Sequence, residues 1–394
     1  MLVSNKDRLR MAVVGVGNMG RRHAQDVYDL DSTELVAVCN TGREKADEIA
    51  AQYGVKACYN YRELLAGAGV QAILIATPHY DHTPISIEAL EHGCHVLVEK
   101  PVAVHAKDAR KMVHAYETAR ASHPGLVFAA MFQQRTYGHY LKIKEMIESG
   151  ELGRLVRTTW LITSWFRTQI YYDSGGWRAT WAGEGGGVLL NQCPHNLDLY
   201  QWLVGLPARV TGFASIGKYH DIEVEDEVTA FFEHEDGMVG HFVTSTAESP
   251  GTNRLEIVGE KGKLVLEDER LTLWRNQDSM LAFIDEATGG FDKVEHEVCD
   301  VSFQHHGQPG HRLIIENFAD AVLGDVPLIA PAVEGYQSVM LGNAIMLSSF
   351  LNRTVDLPID EDLYEAKLQE LIQHSRYQKK TRDAGDVDLD KSFG

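Results

Sequence analysis

No run of about 18 consecutive apolar residues occurs in the 394-residue sequence, so no membrane-spanning helix is expected. Cysteine is scarce and scattered. Cys39, Cys58, Cys94, Cys193 and Cys299 are odd in number and lack CxxC spacing. That pattern excludes a disulfide framework and a structural zinc site, and it points to a reducing cytoplasm. Basic charge is in short supply: 37 Lys and Arg stand against 56 Asp and Glu, a formal charge of −19. Such a surface repels phosphate backbones and anionic membranes, so neither nucleic acid nor membrane is expected as a partner. The opening stretch MLVSNKDRLRMAVVGVG has neither the apolar region nor the cleavage pattern of a signal peptide. Internal repeats and low-complexity tracts are missing as well.

What is present divides in two. Over residues 9–135, short β-branched runs such as ELVAVCN (34–40), AILIAT (72–77) and HVLVE (95–99) alternate with helical patterns at 20–30, 43–53, 84–92 and 106–119. This βαβα rhythm predicts a doubly wound parallel sheet covered on both faces. From about Gly150 the strands come at short intervals, separated by turns such as EHEDG (233–237) and GEKG (259–262). They predict a large, open, mostly antiparallel sheet, closed by helices over 311–323 and 332–351. The expected organisation is a nucleotide-binding domain over 1–135, a substrate and oligomerisation domain over 136–382, and a flexible acidic tail over 383–394.

GVGNMG (15–20) fits GxGxxG, follows the strand MAVV and opens a helix. Gly15 permits the tight turn, Gly17 lets a pyrophosphate approach the backbone, and Gly20 lets the helix pack on the strand. The helix N-terminus then offers free N–H groups to the phosphates. The second strand ends in Asn40, followed by Thr41, Gly42 and Arg43, where an acid usually meets the ribose 2′-hydroxyl. An amide tolerates a 2′-phosphate and Arg43 can pair with one, so both NAD and NADP remain open. Alternatively, Arg43 is simply a surface residue in the first helical turn.

EKP (99–101) ends a strand at the carboxyl edge of the parallel sheet, where doubly wound folds bind ligands. Lys100 there can orient a hydroxyl, whereas a lone EKP would more often be a solvated loop. Taken in order, GVGNMG, ATPHYDH (76–82), EKP and GGGVLLNQCPHNLDL (185–199) resemble the Gfo/Idh/MocA family of sugar and polyol dehydrogenases. The resemblance extends to EIVGEKGKLVLEDERLTLW (256–274) and HRLIIENFADAVLGDVP (311–327).

The resemblance implies a Rossmann domain followed by an open-sheet domain whose outer face commonly makes homodimers or homotetramers. It implies that Gly15, Gly17 and Gly20 flank the pyrophosphate, with Asn18 and Met19 in the loop. It places Thr77, Pro78, His79 and His82 along the cofactor, and Glu99 and Lys100 near the nicotinamide ribose and substrate. His195 corresponds to the family's catalytic histidine. The family often carries an acid four residues before it; here that residue is Asn191.

On a continuous helix, Asn191, His195, Asp198 and Trp202 would form one polar stripe, with Leu190, Pro194, Leu197 and Val204 on an apolar face. A histidine chosen at random from the 18 in this chain is more often structural than catalytic. The motif order favours His195, while nothing favours His220, His234, His305 or His306, and no metal site is expected. Alcohol oxidation needs a base, and an imidazole with an ordinary pKa of about 6.5 suits that role. Lys100 would stabilise the developing alkoxide, and Asn191 would orient the substrate. The aromatic segment at 166–181 reads either as a sugar platform or as a partly buried contact loop. It contributes Tyr171, Tyr172, Trp177 and Arg178 as candidate sugar contacts, with Gln133 and Arg135 as weaker ones.

The reading that follows is oxidation of a secondary hydroxyl of a cyclic sugar, glycoside or inositol. The alternative enzyme is a redox-neutral glycosidase or epimerase that retains its nicotinamide. A regulator that has lost catalysis would lack Lys100 or His195, and both are present.

Overall fold

A computed structural model describes residues 8–67, 69–305, 307–324 and 326–382. The tail expected at 383–394 and His306 lie outside them. The first half runs β1 (Leu9–Val14), α1 (Asn18–Asp29), β2 (Thr33–Cys39), α2 (Arg43–Tyr53), β3 (Lys56–Cys58) and α3 (Tyr61–Ala66). It continues with β4 (Ala72–Ile75), α4 (His79–Glu91), β5 (His95–Val98), α5 (Ala106–Ala119) and β6 (Phe128–Ala130). All six strands pair in parallel, in the order β3-β2-β1-β4-β5-β6. All four residues of β4 are buried, as a strand covered on both faces requires.

The second half opens with α6 (Gly138–Glu148), β7 (Leu155–Ile162), α7 (Gln169–Asp173), α8 (Val188–Asn191) and α9 (Pro194–Val204). Six strands follow: β8 (Arg209–Ile216), β9 (Glu225–Glu233), β10 (Val239–Ser245), β11 (Asn253–Gly259), β12 (Gly262–Glu267) and β13 (Arg270–Asn276). Then come α10 (Met280–Glu286), β14 (His296–Asp300), α11 (His311–Gly324), α12 (Ala332–Leu351), β15 (Val355–Asp356) and α13 (Glu361–His374). Its nine strands are ordered β14-β13-β12-β11-β7-β10-β9-β8-β15, antiparallel except for β7 against β10. One face is covered by α12, whose close approach depends on Gly212: a Cβ there would lie 2.5 Å from the Ile345 carbonyl oxygen. The opposite face is open and exposes Phe213.

The two halves interlock. The loop before α12 pairs with β6, where the Ala130 amide donates to the Ala330 carbonyl at 3.0 Å. One continuous apolar core runs through both sheets.

Two sequence expectations need correction here. Helix α4 begins at His79, not at Pro84, because a proline one turn into a helix forfeits only one backbone bond. Helices α3, α6 and α13 escaped the sequence pattern because each buries few apolar side chains, Leu64 alone in α3.

Candidate active site

The glycine loop has the backbone that the motif demands. Gly15 adopts a φ of +89°, and a Cβ there would meet the Ala76 carbonyl oxygen at 2.6 Å. A Cβ on Gly20 would lie 1.8 Å from the Gly15 oxygen, so α1 and the loop touch backbone to backbone. Around Gly17 there is open space, and as the N-cap of α1 it leaves the first-turn amides without a side-chain partner. Asn18 and Met19 begin that helix, the first exposed and the second half-buried. A diphosphate fits this cradle, with free N–H groups and the positive helix end facing it.

At the end of β2, Asn40 braces the loop: its Oδ1 accepts from the Val16 amide at 3.3 Å, and its Nδ2 donates to the Gly42 carbonyl at 3.1 Å. Thr41 is exposed beside it, and the Arg43 guanidinium stacks over Tyr59 at 4.5 Å. Thr77 has a buried hydroxyl without a partner among the described residues, and exposed Pro78 caps α4. His79 contacts the Glu184 carbonyl at 3.1 Å and meets the Trp177 ring edge-on at 5.2 Å. His82 lies between two carbonyl oxygens, those of Pro101 (2.8 Å) and Thr77 (2.9 Å), tying together the turns that follow β4 and β5. Burial lowers its pKa, and a neutral ring can donate to only one of them.

Glu99 points inward. Its Oε1 is 2.6 Å from His23 Nε2, and its Oε2 accepts the Lys100 amide at 2.9 Å. Burial alone would raise this carboxyl, but the contact with His23 outweighs that and holds it at about 2. The Lys100–Pro101 bond is cis. Lys100 Nζ crosses to the second half and donates to the Asn191 carbonyl at 2.8 Å. Burial lowers its pKa, aided by the Arg178 and Arg167 cations and opposed by Glu99 and Glu184.

His195 is 3% exposed, and neither ring nitrogen has a hydrogen-bond partner among the described residues. Phe132 meets the ring edge-on at 6.2 Å. Burial, then the charge on Lys100, drives its pKa well below the usual value, so the ring is neutral at neutral pH. A buried imidazole with two bare nitrogens costs free energy unless something occupies the space beside it. Together with Thr77 Oγ1 and the open cradle at Gly17, it fits a nucleotide and a hydroxylated substrate.

The polar stripe did not survive. Pro194 has no N–H to give the Leu190 carbonyl, so α8 stops at Asn191 and α9 starts afresh with proline in its first turn. Asp198 turns to Arg135 instead, in a bidentate pair of 2.6 and 2.7 Å. Trp202 lies beneath the Arg135 guanidinium at 5.4 Å. Arg135 also reaches Glu334, so it is a buried structural cation rather than a sugar contact. Gln133 is buried as well, with its Oε1 unpartnered.

Asn191 differs from its expected role. Its Nδ2 donates to Glu184 and its Oδ1 accepts from the Tyr171 hydroxyl at 3.1 Å, so the amide serves the protein. Tyr171 accepts in turn from Arg178 at 2.8 Å and from Gln192 at 3.0 Å. Arg178 lies 4.6 Å from both the Tyr171 and Trp177 rings. Tyr172 faces away, donating to Thr246 at 2.8 Å within the core.

Glu184 is the residue that sequence reasoning missed. It is 2% exposed, and burial raises its pKa against the pull of Arg178. It accepts from the Ala179 amide at 2.6 Å. The signal was an acid embedded in the glycine run GEGGG, where no surface role suits it. A site without a carboxylate four residues before the histidine therefore has one seven residues before Asn191, joined to it by a hydrogen bond.

His305 is packed against Phe303 and His139, accepting from the Gly138 amide at 3.3 Å. Among the described residues no group of three or more His, Cys, Asp or Glu could hold a metal, and no helix is long and apolar enough to cross a membrane.

A parallel sheet with a glycine-loop cradle, a lysine at its carboxyl edge and a bare histidine opposite defines a nicotinamide-dependent oxidoreductase. The chain belongs to the Gfo/Idh/MocA family: residues 9–122 match the oxidoreductase family's NAD-binding Rossmann fold, and 140–265 match the GFO/IDH/MocA C-terminal domain. It is 26% identical to D-glucoside 3-dehydrogenase of Escherichia coli strain K12 over 374 residues, 89% of this chain and 97% of that one. It is 24% identical to the NAD(+)-linked scyllo-inositol 2-dehydrogenase of Bacillus subtilis strain 168 over 321 residues, 76% and 86% of the two chains. Among solved structures, the WlbA dehydrogenase from Bordetella pertussis in complex with NADH and UDP-GlcNAcA superposes with a TM-score of 0.75 at 27% identity. That match covers 90% of this chain and all of the other.

Proposed function

We propose that this protein oxidises a secondary hydroxyl of a cyclic sugar, glycoside or inositol, with His195 as general base and Lys100 assisting. The observation that carries the reading is His195 itself: buried, neutral, with both nitrogens bare, within electrostatic reach of Lys100. A nicotinamide dinucleotide held at the Gly15–Gly20 cradle would supply the hydride acceptor for the carbinol carbon. The His195 ring takes the hydroxyl proton, and the Lys100 ammonium donates to the same oxygen as alkoxide charge develops. Tyr171, Trp177 and Arg178 present aromatic faces and donors suited to a sugar ring. Asn191 acts by holding the Lys100 ammonium through its carbonyl.

NAD is the expected cofactor. The nucleotide half is taken as residues up to 135 and the substrate half as 136–382. Phe213 on the open sheet face is assigned to contacts between copies, in a homodimer or homotetramer.

Mixing purified protein with a panel of sugars and polyols, in NAD+ and NADP+ separately, tests the reading by reduced-nicotinamide absorbance. Failure of every sugar and polyol to reduce either cofactor overturns it. Tightly held nicotinamide released only on denaturation, with sugar turnover but no net reduction, would favour the redox-neutral alternative.

A further inference from the structure

Arg178 is half-buried at the cleft, fixed between the rings of Tyr171 and Trp177 at 4.6 Å from each. Its one hydrogen bond among the described residues runs from Nη1 to the Tyr171 hydroxyl, a neutral group. Arg135, by contrast deeply buried, has two carboxylates, Asp198 and Glu334. Arg178 has none within ion-pair distance among the described residues.

The nearby acids are committed elsewhere. Glu184 gives one oxygen to Asn191 and the other to the Ala179 amide. Asp173 faces Arg382 at 3.1 Å and Gln169 at 2.9 Å. Glu99 is held by His23 and its own chain. A second cation closes on the same place from the end of the described chain, where Lys379 Nζ donates to the Tyr172 carbonyl and has no carboxylate partner within ion-pair distance among the described residues.

A guanidinium locked in place with its Nε and Nη2 hydrogens unspent is preorganised for a planar, two-oxygen anion. In a chain of net charge −19 the long-range field opposes anions, so a local cation pair is needed to hold one. We propose that Arg178, with Lys379 at its rim, binds an anionic group on the sugar, a carboxylate or a phosphate, remote from the hydroxyl that is oxidised. The inference rests on the reading of this cleft as a sugar-oxidising site, and it narrows the substrate class to acidic sugars.

Two measurements on the full chain with bound nicotinamide decide it. Matched sets of a neutral hexose, its hexuronate and its 6-phosphate are compared by kcat/KM and, separately, by calorimetric binding. The expected result is a preference of about tenfold to a hundredfold for one acidic member, the size of a charge-assisted hydrogen bond. The preference should shrink to about twofold or less in Arg178→Gln, chiefly through KM. Which acidic member wins distinguishes carboxylate from phosphate. Equal or better use of the neutral hexose by the wild type overturns the proposal, as does a preference that persists in Arg178→Gln. If nothing is turned over, the oxidation reading fails by itself. Calorimetry still decides the anion site, because acidic sugars must bind the wild type and not the variant.

Discussion

The ammonium of Lys100 donates to the backbone carbonyl of Asn191 across 2.8 Å, joining the loop after β5 to the end of α8. A residue after the parallel sheet's β5 is thus held by the end of α8 in the second half of the chain. Position 191 makes this contact through its main chain, so side-chain changes there leave it in place while those at 100 remove it.

Replacing Lys100 or His195 with alanine should lower kcat by about 10²–10⁴-fold each, the usual size of positioned acid–base assistance. Initial rates of nicotinamide reduction measure this, with thermal melts confirming that the variants fold. Near-wild-type rates in either variant would remove that residue from the chemistry.

The pH–rate profile should lack the ordinary histidine limb near 6.5. Because burial depresses His195, its ring stays in the proton-accepting form as pH falls through that value. Activity should instead fall on the alkaline side, below the usual lysine pKa of 10.5, as depressed Lys100 loses its proton. A profile of kcat/KM from pH 5 to 10 tests both the missing acid limb and the alkaline fall.

Acid should weaken the fold before carboxylates titrate. His139 is lowered to about 4 and His311 to about 3, so the unfolded chain binds protons below pH 6.5 while the native state does not. Stability therefore falls as pH drops below 6.5, and the melting temperature should decline steadily from pH 7 to 5.

Glu225 should behave in the opposite sense. One of its oxygens accepts from the Leu189 amide at 3.1 Å, while the other is buried without a partner among the described residues, beside a small cavity lined by Pro194 and Tyr364. Burial raises this carboxyl to about 7, so ionising it above that pH costs stability that the unfolded chain does not lose. Glu225→Gln should melt higher than the wild type at pH 8, with the gain fading as pH falls from about 7 to 4.5.

Breaking the Arg135–Asp198 pair should be expensive. Both side chains are about 1% exposed, and Asp198→Ala would leave a buried guanidinium with Glu334 as its one remaining carboxylate among the described residues. A loss of about 3–5 kcal/mol is expected in denaturant titration.

Much of this molecule was legible in one dimension. Period-2 runs, buried apolar tetrads and the glycine spacing are local consequences of backbone geometry, so the parallel sheet, the cradle at Gly15–Gly20 and helices such as 43–53 followed from sequence order alone. The ordered motifs also singled out Lys100 and His195.

What stayed hidden depended on which side chains meet across long separations. Asn191 was expected to orient a substrate, but Glu184 and Tyr171 occupy its amide. Arg135 was expected at a sugar and is instead locked to Asp198, 63 residues away. Tyr171 and Tyr172 are adjacent and chemically alike, yet one joins the Arg178 and Asn191 network and the other turns to the core, where its hydroxyl donates to Thr246. Sequence determined the elements because they arise from neighbours a few residues apart. Only the tertiary structure decided which polar groups were already satisfied by one another and which, like the two nitrogens of His195, have no hydrogen-bond partner among the described residues.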